Sequence, residues 1–171
     1  MTKQPFEPVI MQIIPNLGAG GAEQGCIDVA QEIVAAGAKA IVVSNGGYRA
    51  PELARFGAQH IRLPVHSKNP IVIWQNTKRL IRLIKKHKVN IIHVRSRAPA
   101  WSALKACKKM GIPYVTTCHA PYNISGEAKR KYNSAIAMGD VVIAISQYVA
   151  QYLKDNYGVE ENRIRLIPRG I

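Results

Sequence analysis

The chain has 171 residues, 47% of them apolar, enough for one domain with a buried core. Lys and Arg number 24 against 10 Asp and Glu, a formal charge of +14 that favours nucleic acid, an anionic membrane surface or phosphorylated substrates as partners. No run approaches the ~20 apolar residues of a membrane span, residues 1–8 lack a signal-peptide layout, and Cys26, Cys107 and Cys118 are too scattered for a disulfide framework or a zinc cluster.

The expectation is therefore a cytoplasmic protein with reduced, core-packed thiols. Residues 9–14 form an apolar run of strand length, and Pro15-Asn16-Leu17-Gly18-Ala19-Gly20-Gly21 leads from it into a helical pattern. Gly18, Gly20 and Gly21 permit positive φ and close approach of a ligand, and the free N–H groups of the helix that follows favour an anion. A tight strand-to-helix turn with no ligand fits the same residues equally well. The spacing of Cys26, Val29, Ala30 and Ile33 predicts a helix over 22–36, closed by Gly37. Glu23 sits in its first turn, where a carboxylate suits the helix dipole. A buried strand over 40–44, a turn at Asn45-Gly46-Gly47, a short helix over 51–56 and a short strand over 59–63 follow.

Pro70 opens a helix reaching His87, with Ile73, Trp74, Thr77, Leu80, Ile81 and Ile84 as its apolar stripe and Lys78, Arg82, Lys85 and Lys86 opposite. The plain interpretation is a core-facing stripe with a solvated charged face. The alternative is attraction to anionic lipid, worth about 1 kcal/mol per basic residue. Between Arg62 and Lys131 stand 16 basic residues and one acid, Glu127. A fourth strand over 90–94 ends in the loop Arg95-Ser96-Arg97-Ala98, and a helix over 99–110 leads to a fifth strand over 113–117. Cys118-His119-Ala120-Pro121-Tyr122 follows. The remainder reads as a helix over 127–137, a strand over 140–145, a helix over 146–157 and a last strand over 163–167.

Strands alternating with helices at these lengths imply an α/β fold, a Rossmann-like doubly wound parallel sheet of about seven strands with helices on both faces. Ligands in such sheets bind at the carboxyl ends of strands where the order reverses, here between the first and fourth strands. The glycine turn, Arg95 to Arg97, and His119 to Tyr122 converge there, joined by Ser146 as the N-cap of the next helix. A dinucleotide cofactor is disfavoured. Gly18-Ala19-Gly20-Gly21 is not G-x-G-x-x-G, and the second strand ends in Ser44-Asn45-Gly46 without an acid for a ribose hydroxyl. There is no P-loop, no nucleophile elbow and no pair of histidines one helical turn apart. What remains suits a diphosphate and sugar hydroxyls: the planar forks of Arg95 and Arg97 and the imidazole of His119. Solvated loop arginines and a histidine satisfied by nearby backbone are the plainer alternatives.

Five stretches in order, Ile13 to Glu23, Asn90 to Arg97, Thr117-Cys118-His119, Val142 to Ser146 and Arg165 to Ile171, resemble motifs of glycosyltransferase family 4, enzymes of two-domain GT-B architecture. The run Arg95 to Trp101 looks most like bacterial members associated with lipopolysaccharide core assembly. The resemblance implies a retaining transfer of a sugar from a nucleotide-sugar to an acceptor hydroxyl, with no metal ion and no cofactor beyond the donor itself. It implies His119 as the catalytic group at the sugar and Gly18, Gly20, Gly21, Ser146 and Arg169 on the donor side. Arg95, Ser96, Arg97 and Tyr122 then fall on the acceptor side. Arg169 departs from the Asn frequent in the family. The family's second, nucleotide-binding domain has no counterpart in the sequence. The chain is thus expected to be the amino-terminal, acceptor-side half, inactive alone, whose basic face meets a lipid-linked or lipopolysaccharide acceptor at the inner face of the cytoplasmic membrane. The rival reading is a stand-alone binding module for an anionic glycan or nucleotide. Nucleic acid is disfavoured because the basic tract lacks interleaved aromatics.

Overall fold

A sheet covered on both faces needs apolar residues along its central strands, and residues 9–13, 40–43, 91–94 and 141–144 supply them, with Gln12 and His93 as polar exceptions. The computed structural model describes residues 6–169. Seven strands, β1 (Val9–Ile13), β2 (Lys39–Ser44), β3 (Gln59–Arg62), β4 (Ile91–Val94), β5 (Tyr114–Cys118), β6 (Val141–Ala144) and β7 (Ile164–Leu166), form one sheet. All pairings are parallel, and the order is β3-β2-β1-β4-β5-β6-β7. The helices are α1 (Gly21–Ala35), α2 (Glu52–Arg55), α3 (Pro70–His87), α4 (Arg97–Met110), α5 (Glu127–Asn133) and α6 (Gln147–Tyr157). This is the doubly wound Rossmann-like architecture expected from the sequence.

The chain steps outward from β1 through β2 to β3, crosses back through α3 to β4, and then steps the other way to β7. Right-handed crossovers place α1 and α2 on one face and the later helices on the other. The two cores agree with this. Along β2, Ala40 and Val42 pack with Cys26, Ile27 and Ala30 of α1, while Ile41 and Val43 pack on the opposite side with Leu80 and Ile84 of α3. All three cysteines are buried free thiols. The reversal falls between β1 and β4, whose carboxyl ends open the crevice.

Four local expectations are corrected. Helix α4 starts at Arg97 rather than Pro99; a proline in the first turn removes an N–H that has no intrahelical partner anyway. The helix expected over 127–137 stops at Asn133 and tightens to a 3-10 turn over Ser134–Met138. Side chains of β5 claim its carbonyls: Tyr114 Oη donates to Ala135 O at 2.9 Å and Thr116 Oγ1 to Ile136 O at 2.6 Å. The last strand is shorter than expected, Ile164–Leu166. On α3, Trp74 is 56% exposed and is covered by Lys78, whose Nζ lies 3.6 Å from the ring centroid. At ~100° per residue Trp74 falls about 120° from Leu80, outside the packed stripe. Asn76 is buried instead and donates to Pro64 O at 3.0 Å. Among the described residues no helix is long and apolar enough to cross a membrane.

Candidate functional site

Two polar residues interrupt otherwise apolar strands, and the register pairs them: Gln12 of β1 lies beside His93 of β4. Both project on the α1 side, because their neighbours Met11, Ile13, Ile92 and Val94 fill the opposite core. Gln12 is fully buried. Its Nε2 donates to Cys26 O of α1 at 2.9 Å, and its Oε1 accepts from Arg95 Nη1 at 3.0 Å. Arg95, one residue beyond β4 and 7% exposed, is thereby held against α1 with its Nε buried and unpartnered. No carboxylate pairs with it among the described residues. Burial pushes its pKa below the usual arginine range, partly opposed by Cys26, while Arg169 adds to the depression.

Helix α1 admits this arrangement because it is bare on that face. A Cβ on Gly25 would stand 2.9 Å from Arg95 Nη2, and one on Gly21 would overlap Arg169 Nη1. Residues 21 and 25 are one turn apart on one side of the helix, so two glycines receive two guanidinium groups. Gly20 precedes α1 as its N-cap with no side-chain cap bond. Arg169 thus lies at the N-terminal end of the helix, and Arg95 one turn further in.

Between α1 and the ends of β4, β5 and β6 lies a cavity of ≈ 750 Å³ lined by Gly21, Gly25, Asp28, His93, Arg95, Thr117, His119 and Arg169, with Ile143, Ile145 and Ile167 as an apolar wall. A second cleft of ≈ 660 Å³ lies at the opposite, amino-terminal edge, around Glu7, Lys39, Lys86 and Lys88. The first sits at the switch point, so it is the candidate site. His93 Nε2 and Thr117 Oγ1 are hydrogen-bonded at 2.7 Å, and burial with the nearby Arg95 pushes the His93 pKa down to about 3. Arg169 Nη2 donates to His119 Nδ1. A guanidinium only donates, so His119 is neutral with its proton on Nε2, and that Nε2 is buried without a partner. Burial, Arg95 and Arg169 hold the His119 pKa down to about 3. The corner therefore offers N–H donors, fixed positive charge and neutral imidazoles.

The glycine turn departs from its expected backbone. Gly18, Gly20 and Gly21 all lack positive φ, and Gly20 is extended at φ −73°, ψ 161°. Gly21 serves the close approach of Arg169, and Gly20 leaves room for the Glu23 carboxylate, whereas Gly18 faces open space. Positive φ belongs to the neighbouring turn after β2, at Gly46 and Gly47. That turn supports the first one. Leu17 N–H donates to Gly46 O at 2.8 Å, Asn45 N–H donates to Pro15 O at 2.9 Å, and a Cβ on Gly47 would overlap Leu17 O.

Of the residues expected at the site, Gly21, Arg95, His119 and Arg169 come together at the cavity; Gly18 and Gly20 lie in the turn leading to it. Arg97 and Tyr122 meet each other instead. The Arg97 guanidinium stacks 4.8 Å from the Tyr122 ring centroid, and its Nη1 donates to Asn133 Oδ1 at 3.1 Å. Ser96 is the N-cap of α4 without a side-chain cap bond, and Ser146 Oγ accepts from Val149 N–H at 3.2 Å as the N-cap of α6. Sequence reasoning missed Gln12, Gly25, His93 and Thr117. The signal for Gln12 and His93 was a lone polar residue inside an apolar strand; for Gly25, a glycine within a helix.

The family profile of Glycosyltransferase Family 4 matches residues 19–171. The chain belongs to glycosyltransferase family 4. A solved glycosyltransferase from Rickettsia africae ESF-5 is 41% identical, superposes with a TM-score of 0.84, and is matched over 96% of this chain and 44% of its own length. Anabaena Alr3699/HepE, solved with UDP and glucose, is 16% identical with a TM-score of 0.77, covering 96% of this chain and 45% of that one. The lipopolysaccharide outer core galactosyltransferase WaaB is 14% identical with a TM-score of 0.71, covering 96% and 46%. These last two likenesses show the fold, a Rossmann-like domain of GT-B type. No curated protein gives a significant match. This family 4 chain spans less than half the length of each of these solved relatives.

Proposed function

We propose that this chain is the amino-terminal, acceptor-side domain of a retaining, metal-independent glycosyltransferase that moves a sugar from a nucleotide-sugar to a lipid-linked or lipopolysaccharide acceptor. The observation that carries the reading is the cationic corner where Arg95 and Arg169 flank the glycine face at the start of α1. The leaving diphosphate gathers negative charge in the transition state, and N–H groups with fixed cations stabilise such charge without reorganising. His119, neutral and with its Nε2–H buried and unpartnered beside the cavity, is the group assigned to the donor sugar. Gly18, Gly20 and Ser146 border the donor side, and Ser96, Arg97 and Tyr122 the acceptor side. A second domain completes the nucleotide site, so the chain alone does not turn over. The 44% coverage of the 41% identical relative supports that division.

The test joins this domain to the remainder of a two-domain enzyme and follows transfer from labelled nucleotide-sugars to a membrane lipid extract. Transfer with retention at the anomeric carbon is expected, falling at least 100-fold on His119→Ala. Transfer with inversion, or unchanged turnover in the variant, overturns the reading. The basic face formed by Lys78, Arg82, Lys85 and Lys86 of α3, with Trp74 and the 66% exposed Ile71 beside it, suits an anionic lipid surface. Flotation with phosphatidylglycerol vesicles but not with phosphatidylcholine vesicles is expected, and equal recovery removes the membrane from the proposal.

A further inference from the structure

Arg169 occupies the mouth of the cavity on poor terms. One of its terminal nitrogens donates to the neutral His119 Nδ1, and the other lies against Gly21 at the positive end of α1, in the field of Arg95. It makes no ion pair among the described residues. Neither carboxylate of this corner pairs with it: Asp28 Oδ1 accepts from Gln24 Nε2 at 2.6 Å, and the Glu23 carboxylate lies against Gly20. Its side chain is exposed and its backbone tether is short. The sheet edge holds the chain at Ile167, whose N–H donates to Ala144 O at 2.9 Å, two residues before Arg169.

Two further groups of the same corner lack partners. Arg95 is nine-tenths buried with its Nε unsatisfied, and His119 Nε2 is buried and unsatisfied as well. A helix N-terminus, a buried arginine with a free donor and a second arginine bonded only to a neutral base share one missing chemistry, a multivalent anion. A guanidinium forks onto phosphate with two charge-assisted bonds, against one bond to a neutral imidazole, so an entering phosphate outcompetes His119 for Arg169.

We propose that Arg169 is a displaceable plug: a diphosphate entering at the start of α1 draws its guanidinium off His119, and the freed Nδ1 then accepts a hydrogen bond from a substrate hydroxyl. Arg169 on Nδ1 therefore keeps the imidazole capped, and donor arrival uncaps it. This rests on the phosphate reading of the corner given under Proposed function. The groups facing His119 are Arg95 and His93 from the end of β4, Arg169 from beyond β7, and Asp28 across the cavity on α1. Arg169 leaving and an anion arriving both change the field at the imidazole in the same direction, towards easier protonation.

The probe is inorganic pyrophosphate, with glycerol phosphate as the monoester control, titrated into this chain carrying 15N-labelled histidine. His119 is assigned by comparison with His119→Gln. Pyrophosphate is expected to move the His119 Nδ1 resonance towards that of an uncapped nitrogen and to raise its apparent pKa by at least one unit. It should bind at least 10-fold tighter than glycerol phosphate. In Arg169→Ala the resonance should start at the uncapped position, and pyrophosphate affinity should fall at least 10-fold with little change in Tm. If pyrophosphate does not bind, both the plug and the phosphate reading fail. If it binds while the His119 resonance stays in place, or moves equally in Arg169→Ala, the plug alone fails. Tighter binding of glycerol phosphate overturns the assignment to a diphosphate.

Discussion

Arg95→Met isolates the cost of keeping a cation under α1. In the wild type Arg95 makes one side-chain bond, to Gln12, and leaves Nε buried without a partner. An unsatisfied buried donor costs about 1–3 kcal/mol, and a charged one more. Methionine removes that cost with little change of shape, but it takes the donor away from Gln12 Oε1, at a cost of similar size. The single variant should therefore unfold within about 1.5 kcal/mol of wild type. The double variant Gln12→Leu with Arg95→Met removes both unsatisfied groups. It gives up the bond from Gln12 Nε2 to Cys26 O, worth about 1 kcal/mol, together with the Arg95–Gln12 bond, whose donor and acceptor leave together so that neither is stranded. It should be at least as stable as wild type, by up to about 2 kcal/mol. Urea unfolding with and without pyrophosphate completes the test. A ligand at 100 times its Kd stabilises the folded chain by about 2.7 kcal/mol, and that increment should vanish in both variants. A loss above about 3 kcal/mol in ligand-free Arg95→Met would make Arg95 a structural strut. A full pyrophosphate increment in that variant would remove Arg95 from the anion site.

Three other outcomes are expected. Gly47 and Gly158 both have positive φ, but a Cβ meets the Leu17 backbone only at Gly47; Gly158→Ala should cost about 1 kcal/mol and Gly47→Ala at least about 3, compared by urea midpoints. His93, held near pKa 3 in the folded chain against about 6.5 unfolded, stays neutral where the unfolded chain takes a proton. Its contribution to stability is thus full above pH ~6.5 and is lost as pH falls towards 3, by up to about 1.4 kcal/mol per pH unit; unfolding curves of wild type and His93→Gln between pH 7.5 and 5 should converge, and parallel curves would contradict the shift. Finally, Arg97 ties the segment after β5 through Tyr122 and Asn133. Arg97→Ala should accelerate amide exchange across residues 119–126 several-fold while leaving α4 protected, as read by hydrogen-exchange mass spectrometry.

The alternation of apolar runs with amphipathic segments was enough to place all seven strands in chain order, because parallel strands and their covering helices obey short-range periodicities that a single sequence displays. Where local rules failed, a distant partner had intervened. The hydroxyls of Tyr114 and Thr116 on β5 stopped α5 by taking carbonyls some twenty residues away. The buried place on α3 that Trp74 was expected to fill went to Asn76, whose side chain bonds the loop carbonyl of Pro64.

The candidate site divides in the same way. Loop composition and position at the carboxyl edge marked Gly21, Arg95 and His119, since the fold class alone says which loops converge; Arg169 was marked by the family resemblance alone. Their roles came from tertiary placement. The sequence does not say that Arg95 lies under α1 while Arg97, two residues on, stacks on Tyr122, because that follows from where α4 begins. Nor does it pair Gln12 with His93, which depends on the register of β1 against β4. Composition and periodicity, being local, determined the sheet, its winding and the edge where the candidate site lies. Which guanidinium touches which imidazole depends on contacts across 50 or more residues, such as Arg169 to His119, and only the folded chain brings those together.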